Sequence, residues 1–418
     1  MNKSVFFSLL LLGLSLFYFV ATVLKNPHIF KQYNPQEAYK RFSLSQWNKS
    51  QNISPIQVLD SWAIKNGYTG WNNYVDENKH IRNVERDKKN IIDEIRSREI
   101  SDAELYTYIG YMSAKKHDIS LNREHPPLAK YLIGLSIVCC NTAGVVLIMT
   151  SVIILGLTYV LIYALSHSCF RSALGILIIL IQGSLFDQLL HGPQLDIFHL
   201  MFLLLYMFFL MQYLKKQAKA LLILAGLMLG FFLSTKSLVT YGVLISVWMG
   251  IYIFMIRRKI KSIPVLISIG SFATLAGYIL SYVPFFIHGL PFLAFMKAQR
   301  YALLFYLDSK IPIIPFIGNY IRLIFTGKLK FWSEGFPVAL YKDWNLLWPL
   351  ILITGVYMII YDIRKRKLQD KNRLILITYI IVLSLFYLFI PFYPRYLLLL
   401  YIPLIIYIVS YTSMLKTK

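Results

Sequence analysis

The sequence predicts an all-α polytopic membrane protein, arranged as a bundle of about ten transmembrane helices with two elaborated outer loops that carry interfacial helices. Three observations support this fold class. The 418 residues are 57% hydrophobic and only 15% charged, with a mean hydropathy of +0.56. Apolar runs long enough to cross a bilayer recur along the chain, and basic residues concentrate in the short breaks between them. A soluble domain has neither property.

A transmembrane helix needs about 20 mostly apolar residues. Ten such runs are present, at residues 4–24, 143–165, 172–190, 197–214, 219–235, 238–256, 263–286, 344–361, 373–391 and 395–413. Polar residues interrupt the run at 172–190. The first run shows no small-residue cleavage site, so we expect a retained helix rather than a signal peptide. The shorter stretch 128–140 predicts an interfacial or re-entrant helix.

The distribution of charge predicts the orientation. With the N-terminus inside, 17 Lys and Arg fall on the cytoplasmic side, where the only acidic residues are Asp362 and Asp370. The positive-inside rule favours this arrangement. It also explains the net charge of +23 without a nucleic-acid partner. Three cysteines, two of them adjacent, indicate neither a disulfide framework nor a zinc site.

The chain then divides into five segments along one membrane unit. A stripe of apolar residues from Val84 to Ile100 predicts a surface helix within the first outer loop. The segments are a first transmembrane helix at 1–24, an outer loop at 25–142, a transmembrane core at 143–286, a second outer loop at 287–343, and C-terminal transmembrane helices at 344–418.

Ionisable residues collect at the outer ends of these spans and in the first outer loop. Such residues beside a bilayer predict a functional site. With the orientation above, all of them can reach one outer cavity without being buried in lipid. They are Asp102, Glu104, Glu124, His125, Asp187, His191, Asp196, Lys236 and Arg395.

The residue types indicate a chemistry. A carboxylate at the membrane boundary can act as general base for a hydroxyl. Lys and Arg at the same depth suit a phosphate held at headgroup level. Together they predict a lipid-phosphate donor that reacts with a hydroxyl acceptor outside the membrane.

Each residue also has a simpler interpretation. Lys236 and Arg395 could extend to lipid headgroups, and Asp196 could be the N-cap of its helix. His191, in a His-Gly-Pro sequence, is typical of a turn, and His199 inside a span is typical of a helix-packing residue.

Several motifs resemble the dolichyl-phosphate-mannose protein mannosyltransferases and their bacterial and archaeal relatives, which share the GT-C fold with lipid A aminoarabinose transferases. The resemblance covers roughly residues 100–410. Its elements are Asp102-Ala-Glu104, Glu124-His-Pro-Pro-Leu, Gln194-Leu-Asp196, the glycine-containing run from Gly226 to Lys236, the run from Gly277 to Gly289, and Pro394-Arg-Tyr.

The resemblance implies a role for each site residue. Asp102 would be the catalytic base, with Glu104 beside it, and Lys236 and Arg395 would neutralise the polyprenyl phosphate leaving group. In-line displacement would invert the anomeric configuration. The residues that would shape the cavity are Glu124, His125, Pro126, Pro127 and Asp196.

This chain departs from the family pattern in two places. Ala103 stands where the family has a second acidic residue, and about 75 residues separate the first helix from Asp102. Asp76-Glu77 and Asp93-Glu94 are therefore rival acidic pairs, although the spacing to the His-Pro-Pro element favours Asp102.

The resulting hypothesis is a prokaryotic plasma-membrane enzyme that moves a mannose-like hexose from a polyprenyl-phosphate donor to a protein or glycan hydroxyl on the outer face. A polysaccharide ligase or polymerase and a transporter of lipid-linked intermediates are the alternatives. Transporters usually place polar residues near the bilayer midplane and often contain repeats. The sequence contains no metal-ligand cluster of recognisable spacing, so it predicts no cofactor and leaves a need for a divalent metal open.

Overall fold

The computed structural model describes residues 3–39, 42, 72, 75–76, 101–256, 263–308, 317–329, 339–365 and 370–411. The chain forms two compact units, Met1–Lys31 with Ile109–Lys418, and Gln32–Tyr108. The predicted surface helix between Val84 and Ile100 lies outside the described residues, as do Glu77 and the pair Asp93-Glu94.

The described elements are almost entirely helical, as predicted. In chain order they are α1 (Lys3–Lys25), a 3-10 turn (Pro27–Phe30), α2 (Asp102–Lys116), α3 (Leu128–Cys140), α4 (Gly144–Ser166), α5 (Cys169–Gln182), α6 (Ser184–Leu190), α7 (Leu195–Lys216), α8 (Lys219–Leu233), α9 (Leu238–Ile256), α10 (Ile263–Leu280), α11 (Val283–Ile287), α12 (Phe292–Asp308), α13 (Asn319–Thr326), β1 (Lys328–Leu329), β2 (Ala339–Leu340), α14 (Leu347–Arg364), α15 (Lys371–Tyr387), a second 3-10 turn (Pro394–Tyr396) and α16 (Leu397–Val409). The two strands pair antiparallel, with Lys328 opposite Leu340.

Each predicted span overlaps one helix or two consecutive helices, and the helices differ in length. Among the described residues, six are long and apolar enough to cross a membrane, and a bent pair, α5 with α6, makes a seventh candidate. Helices α8, α15 and α16 are shorter, with 15, 17 and 13 residues. The chain is therefore a multi-pass membrane protein, and the number of ten crossings stays a prediction.

The predicted span at 172–190 is not one straight helix. It breaks at Gly183, where α5 and α6 meet at 56°. Gly183 has a φ of +85°, in the left-handed region that glycine adopts without steric cost. The predicted span at 263–286 also ends early, because α10 stops at Leu280 and the separate short helix α11 follows, with Pro284 in its first turn.

Helices α7 and α16 form the interior of the larger unit. Every residue from Leu195 to Leu204 is buried in α7, and in α16 only Ile408 is not fully buried. Both helices are apolar around their whole circumference, which is typical of a helix surrounded by other helices. Asp196 and Arg395 therefore lie at the ends of these two enclosed helices.

Helices α8 and α10 cross closely through glycines. A Cβ added to Gly226 would lie 2.5 Å from Ala273 Cβ, and one added to Gly230 would lie 2.6 Å from the Tyr278 amide nitrogen. Small residues spaced by four allow membrane helices to approach backbone to backbone. This close crossing fixes the end of α8, which leads directly into Lys236.

At the end of α16 opposite to Arg395, polar groups join α5, α14, α15 and α16. Arg171 donates a hydrogen bond to the Tyr411 carbonyl oxygen (3.0 Å), and Arg373 donates one to the Ser410 carbonyl oxygen (3.2 Å). The hydroxyls of Tyr407 and Tyr411 both donate to Asp362, each at 2.8 Å. Residues predicted to be cytoplasmic thus share one end of the bundle.

In the smaller unit, Tyr108 stacks on Phe42 with ring centroids 4.5 Å apart and lies 6.4 Å from the Tyr39 ring. Ser101 and Glu104 form a reciprocal cap at the start of α2. Ser101 donates from both its amide and its hydroxyl to Glu104 Oε2 (3.0 Å each), and the Glu104 amide donates to Ser101 Oγ (3.3 Å). This is the capping box that the spacing Ser-x-x-Glu favours.

Candidate functional site

Lys236 occupies the short turn between α8 and α9 and points into the protein. Only 7% of the residue is exposed, and its Nζ lies 2.5 Å from Asp196 Oδ1. Asp196, in the first turn of α7, is 1% exposed. At such low exposure neither charged group retains its hydration, so each must be stabilised by the groups that it contacts in the protein. The interpretation of Lys236 as a residue that extends to lipid headgroups is therefore wrong for this structure.

Arg395 reaches the same carboxylate from the 3-10 turn that precedes α16. Its Nε lies 3.6 Å from Asp196 Oδ2, and its Nη1 donates a hydrogen bond to Gln194 Oε1 (2.9 Å). Three elements distant in sequence thus meet at Asp196. We name Asp196, Lys236 and Arg395 the cation cluster.

Aromatic rings cover the two cations. Lys236 Nζ lies 4.0 Å from the centroid of the Tyr396 ring, and the Arg395 guanidinium lies 4.8 Å from that of Tyr393. A cation over the face of an aromatic ring is attracted by its quadrupole. Tyr396 is further held by Tyr387, whose hydroxyl donates to the Tyr396 carbonyl oxygen (3.0 Å).

The cluster carries two positive charges and one negative charge. The excess positive charge sits at low exposure, where electrostatic attraction is stronger than in bulk water. Arg395 can present two parallel N–H groups, and Lys236 presents a compact charge. This combination suits the binding of a phosphate. The arrangement can therefore bind a small oxyanion at the end of the bundle.

The His-Pro-Pro-Leu segment is attached to the same turn. The His125 Nδ1–H donates to the Lys236 carbonyl oxygen (3.1 Å), and the Leu128 amide donates to the Ser234 carbonyl oxygen (3.1 Å). Pro126 and Pro127 are buried, and Pro127 is the N-cap residue of α3. The segment fixes the turn that carries Lys236, and its role in shaping the cavity stays a prediction.

Lys130 organises this segment from the inside. Lys130 is 3% exposed, and its Nζ donates to the carbonyl oxygens of Asn122 (2.8 Å) and His125 (2.7 Å). Glu124 lies at the same loop and accepts a hydrogen bond from the Asn122 side-chain amide. Burial lowers the pKa of Lys130 to about 7, opposed by the Glu124 charge.

His125 is a neutral side chain in this environment. Burial, followed by the charges of Lys130 and Lys236, lowers the pKa of His125 to about 3. The imidazole therefore acts as a hydrogen-bond donor that positions the Lys236 turn, and it adds no charge to the cation cluster.

Asp102 and Glu104 belong to the smaller unit. Asp102 is exposed as the first residue of α2, and Glu104 is partly buried in the capping box described above. Of the rival acidic residues, Asp76 is within the described part of the chain, and the other three are outside it. The catalytic assignment of Asp102 and Glu104 stays a prediction.

The remaining polar residues take the positions that local chemistry requires. The N-cap of α7 is Gln194, so Asp196 is not the N-cap. His199 is fully buried, with its ring stacked on Phe232 at 3.6 Å and its Nδ1 2.6 Å from Thr235 Oγ1, so it is a helix-packing residue. His191 ends α6, as expected of a turn residue.

His191 also pairs with Asp187 one turn earlier, with Nδ1 and Oδ1 3.1 Å apart. This hydrogen bond and the Asp187 charge raise the pKa of His191 to about 9. Tyr341 directly follows β2 and lies 154 positions later in the chain than Asp187. Its hydroxyl donates a hydrogen bond to Asp187 Oδ1. Asp187 and His191 thus form a separate polar group at the C-terminal end of α6.

Sequence reasoning gave no role to Lys130, Gln194, Tyr341, Tyr393 or Tyr396. Lys130 sits in an apolar helix, and its inward direction follows from the carbonyl groups that the preceding turn exposes, which the sequence does not show. Gln194 and Tyr396 lie inside motifs that the family resemblance quoted, so their proximity to Asp196 and Arg395 in sequence was an available signal.

An apolar cavity of about 820 Å³ lies between helices of the larger unit. Residues of α7, α8, α9, α10 and α12 line it, among them Leu229, Leu233, Leu238, Ile245 and Phe295. Leu233 ends α8 and Leu238 begins α9, so the two residues that flank the turn carrying Lys236 both line the cavity.

Residues 124–288 match the family model described as dolichyl-phosphate-mannose-protein mannosyltransferase. The resemblance to this family is confirmed. The matched segment of this chain begins at Glu124 of the His-Pro-Pro-Leu element and includes both Asp196 and Lys236.

One solved structure is also similar to the chain. It is the crystal structure of ArnT from Cupriavidus metallidurans bound to undecaprenyl phosphate, with a TM-score of 0.47 and 13% sequence identity. The match covers 74% of this chain and 55% of that chain, so it spans about half the length of ArnT. No curated protein gives a significant match to the sequence.

Proposed function

We propose that the protein transfers a mannose-like hexose from a polyprenyl-phosphate donor to a hydroxyl of a protein or glycan on the outer face of a prokaryotic plasma membrane. The observation that carries this proposal is the convergence of Lys236 and Arg395 on Asp196. Two cations with one carboxylate between them form a site for the phosphate of the donor.

The apolar cavity supports a lipid donor rather than a soluble one. A polyprenyl chain is a long hydrocarbon, and the lining beside the Lys236 turn consists mainly of Leu, Ile and Gly. Burial of apolar surface contributes about 25 cal/mol per Å² to binding. A lipid phosphate can therefore place its headgroup at Lys236 and Arg395 while the first part of its chain enters the cavity.

The reaction needs a base and a stabilised leaving group. In the proposed mechanism the Asp102 carboxylate accepts the proton of the acceptor hydroxyl, whose oxygen attacks the anomeric carbon of the sugar. The bond from this carbon to the phosphate oxygen breaks, and the electron pair leaves with polyprenyl phosphate. Lys236 and Arg395 stabilise the charge that develops on the phosphate. Displacement from the opposite face inverts the anomeric configuration.

Glu104 is proposed to act beside Asp102, and its capping role can be separated from chemistry. Glutamine also serves in a capping box. Glu104→Gln therefore keeps the start of α2 while it removes the charge, whereas Glu104→Ala removes both. Loss of transfer in Glu104→Gln with unchanged stability would support a catalytic contribution.

The proposed function is tested by transfer from defined donors. The full chain in proteoliposomes is supplied with undecaprenyl-phosphate mannose or with an undecaprenyl-diphosphate sugar, and new glycosidic bonds on protein and glycan acceptors are identified by mass spectrometry. We expect transfer from the monophosphate donor, and its loss in Asp102→Asn but not in Asp76→Asn. Transfer only from the diphosphate would support a ligase or polymerase instead. Donor movement across the bilayer without a new glycosidic bond would support a transporter.

A further inference from the structure

A second group of polar side chains lies at α6, and the proposed transfer reaction does not use it. Asp187, His191 and Asp343 place one potential ligand atom each within 4.8 Å of one another. We propose that these three residues bind a divalent transition-metal ion, of the class of Zn²⁺ or Mn²⁺. This proposal does not depend on the sugar donor or the acceptor.

The set of donor atoms favours this class of ion. An imidazole nitrogen with two carboxylate oxygens suits Zn²⁺ and Mn²⁺, whereas Ca²⁺ and Mg²⁺ prefer ligand sets made only of oxygen. His191 and Asp187 are one helical turn apart, with Nδ1 and Oδ1 separated by 3.1 Å, and Asp343 arrives from the segment after β2. Three protein ligands leave positions for water.

The surroundings of Asp187 provide a second, independent indication. Gln188 is 1% exposed, and its Nε2 donates to Asp187 Oδ2 (3.0 Å). Its Oε1 is buried and has no hydrogen-bond partner among the described residues. Both atoms are bonded to the same carbon, so this oxygen lies beside the Asp187 carboxylate. A buried acceptor without a donor costs free energy, and a cation or a metal-bound water at this carboxylate would satisfy it.

Tyr341 completes the support of Asp187. Its hydroxyl donates to Asp187 Oδ1. Hydrogen bonds from groups outside the ligand set fix the orientation of a ligating carboxylate and are typical of built metal sites. Gln188 and Tyr341 together hold Asp187 through both of its carboxylate oxygens.

The location of the site indicates its role. The ion would join α6 to the segment Tyr341–Asp343 that follows β2, and α6 packs against the 3-10 turn Pro394–Tyr396 that carries Arg395. The site therefore connects the second outer loop to the element that positions one cation of the cation cluster. We infer that the ion is structural and contacts no reacting atom.

The test is direct metal binding by the full chain in nanodiscs after removal of metals with EDTA. ZnCl₂ is titrated by calorimetry, and MnCl₂ binding is followed by electron paramagnetic resonance. We expect one saturable equivalent for each ion. His191→Ala and Asp343→Asn are exposed substitutions, and each should weaken binding by at least about tenfold. His167→Ala, at the exposed histidine that ends α4, is the matched control and should bind as the wild type does.

A second measurement guards against indirect effects. X-ray absorption at the zinc edge should show one imidazole with oxygen ligands in the wild type, and this imidazole signal should be absent in His191→Ala. The proposal is overturned by the absence of saturable binding in the wild type. It is equally overturned by binding that stays within twofold of the wild type in either His191→Ala or Asp343→Asn.

Discussion

The Lys236 ammonium lies 2.5 Å from the Asp196 carboxylate, although 40 residues and two helices separate them in sequence. Asp196 is also 3.6 Å from Arg395, so it faces both cations that we assign to the donor phosphate. The carboxylate holds these cations in place, and an arriving phosphate must share them with it. The stability of the protein and its affinity for a phosphate therefore both depend on this relationship.

Removing one partner of the buried pair should cost more than removing both. Asp196→Leu leaves the Lys236 charge buried without its carboxylate, and we expect a loss of about 3–5 kcal/mol in unfolding free energy. Lys236→Met should destabilise the protein for the same reason. The double variant should be more stable than the sum of the two losses implies. Thermal unfolding in detergent measures the three variants, and strictly additive losses would show that the pair is not coupled.

The two cations should differ in how they bind phosphate. Arg395→Lys keeps the charge but removes the fork of N–H groups, and we expect it to weaken binding of undecaprenyl phosphate by about 10- to 100-fold. Lys236→Arg should weaken it as well, because Lys236 is only 7% exposed and a larger group there must displace its neighbours. Lys297→Ala, an exposed lysine on α12, is the control. Equal affinities for wild type and both cation variants would contradict the phosphate assignment.

Much of this arrangement could be predicted from the sequence. The apolar runs located the helices, and the depth of Asp196, Lys236 and Arg395 relative to those runs suggested that they meet, because each lies at the same end of its helix. The break at Gly183 was harder to predict, since a glycine in an apolar run is compatible with a continuous membrane helix. Only the interruption by polar residues pointed to it.

Contacts between distant loops could not be predicted in the same way. Tyr341 reaches Asp187 across 154 residues, and neither residue lies in a motif that indicates the other. Lys130 lies in an apolar helix and turns inward to two backbone carbonyls, a contact that its sequence neighbours do not indicate. Such contacts depend on tertiary packing, which local sequence patterns do not encode.

Lys130 should be essential for the order of the His-Pro-Pro-Leu segment. Lys130→Met keeps the apolar stem but removes the donor to the carbonyl oxygens of Asn122 and His125, at a cost of about 1–3 kcal/mol for each acceptor left unpaired. We expect tryptic cleavage after Arg123 to accelerate by about tenfold, since local opening controls access. Mass spectrometry of the fragments measures it. Lys115→Met on the exposed end of α2 is the control, and an equal acceleration there would contradict this role.

His125 should make stability depend on pH. Its pKa is about 3 in the folded protein and near 6.5 when unfolded, so the unfolded chain binds more protons between these values. Its stabilising contribution is therefore complete above pH 6.5 and is lost as the pH falls toward 3. From pH 7 to pH 5.5 we expect the wild type to lose about 1 kcal/mol more than His125→Gln does. Denaturant unfolding at both pH values measures this. His167→Gln should behave as the wild type, and parallel pH curves for wild type and His125→Gln would refute the assignment.

The crossing of α8 and α10 should be intolerant of a methyl group at Gly230. A Cβ there would lie 2.6 Å from the Tyr278 amide nitrogen and 2.8 Å from the Gly277 carbonyl carbon, and backbone atoms cannot move aside independently. Overpacking of this kind costs about 1–3 kcal/mol. Because Gly230 accepts the hydrogen bonds of the Ser234 amide and hydroxyl, a wider crossing should also displace the Lys236 turn and reduce affinity for undecaprenyl phosphate.

Gly156→Ala is the matched control for this substitution, because no atom lies within 4 Å of a Cβ added at Gly156 in α4. In a helix interior the exchange of glycine for alanine favours the helix by about 1 kcal/mol. Gly230→Ala should lower both the temperature of thermal unfolding and the affinity for undecaprenyl phosphate. In the Gly156→Ala control both quantities should stay unchanged or increase. If Gly230→Ala retained wild-type stability, the backbone-to-backbone crossing of α8 and α10 would not exist, and the position of Lys236 would need another support.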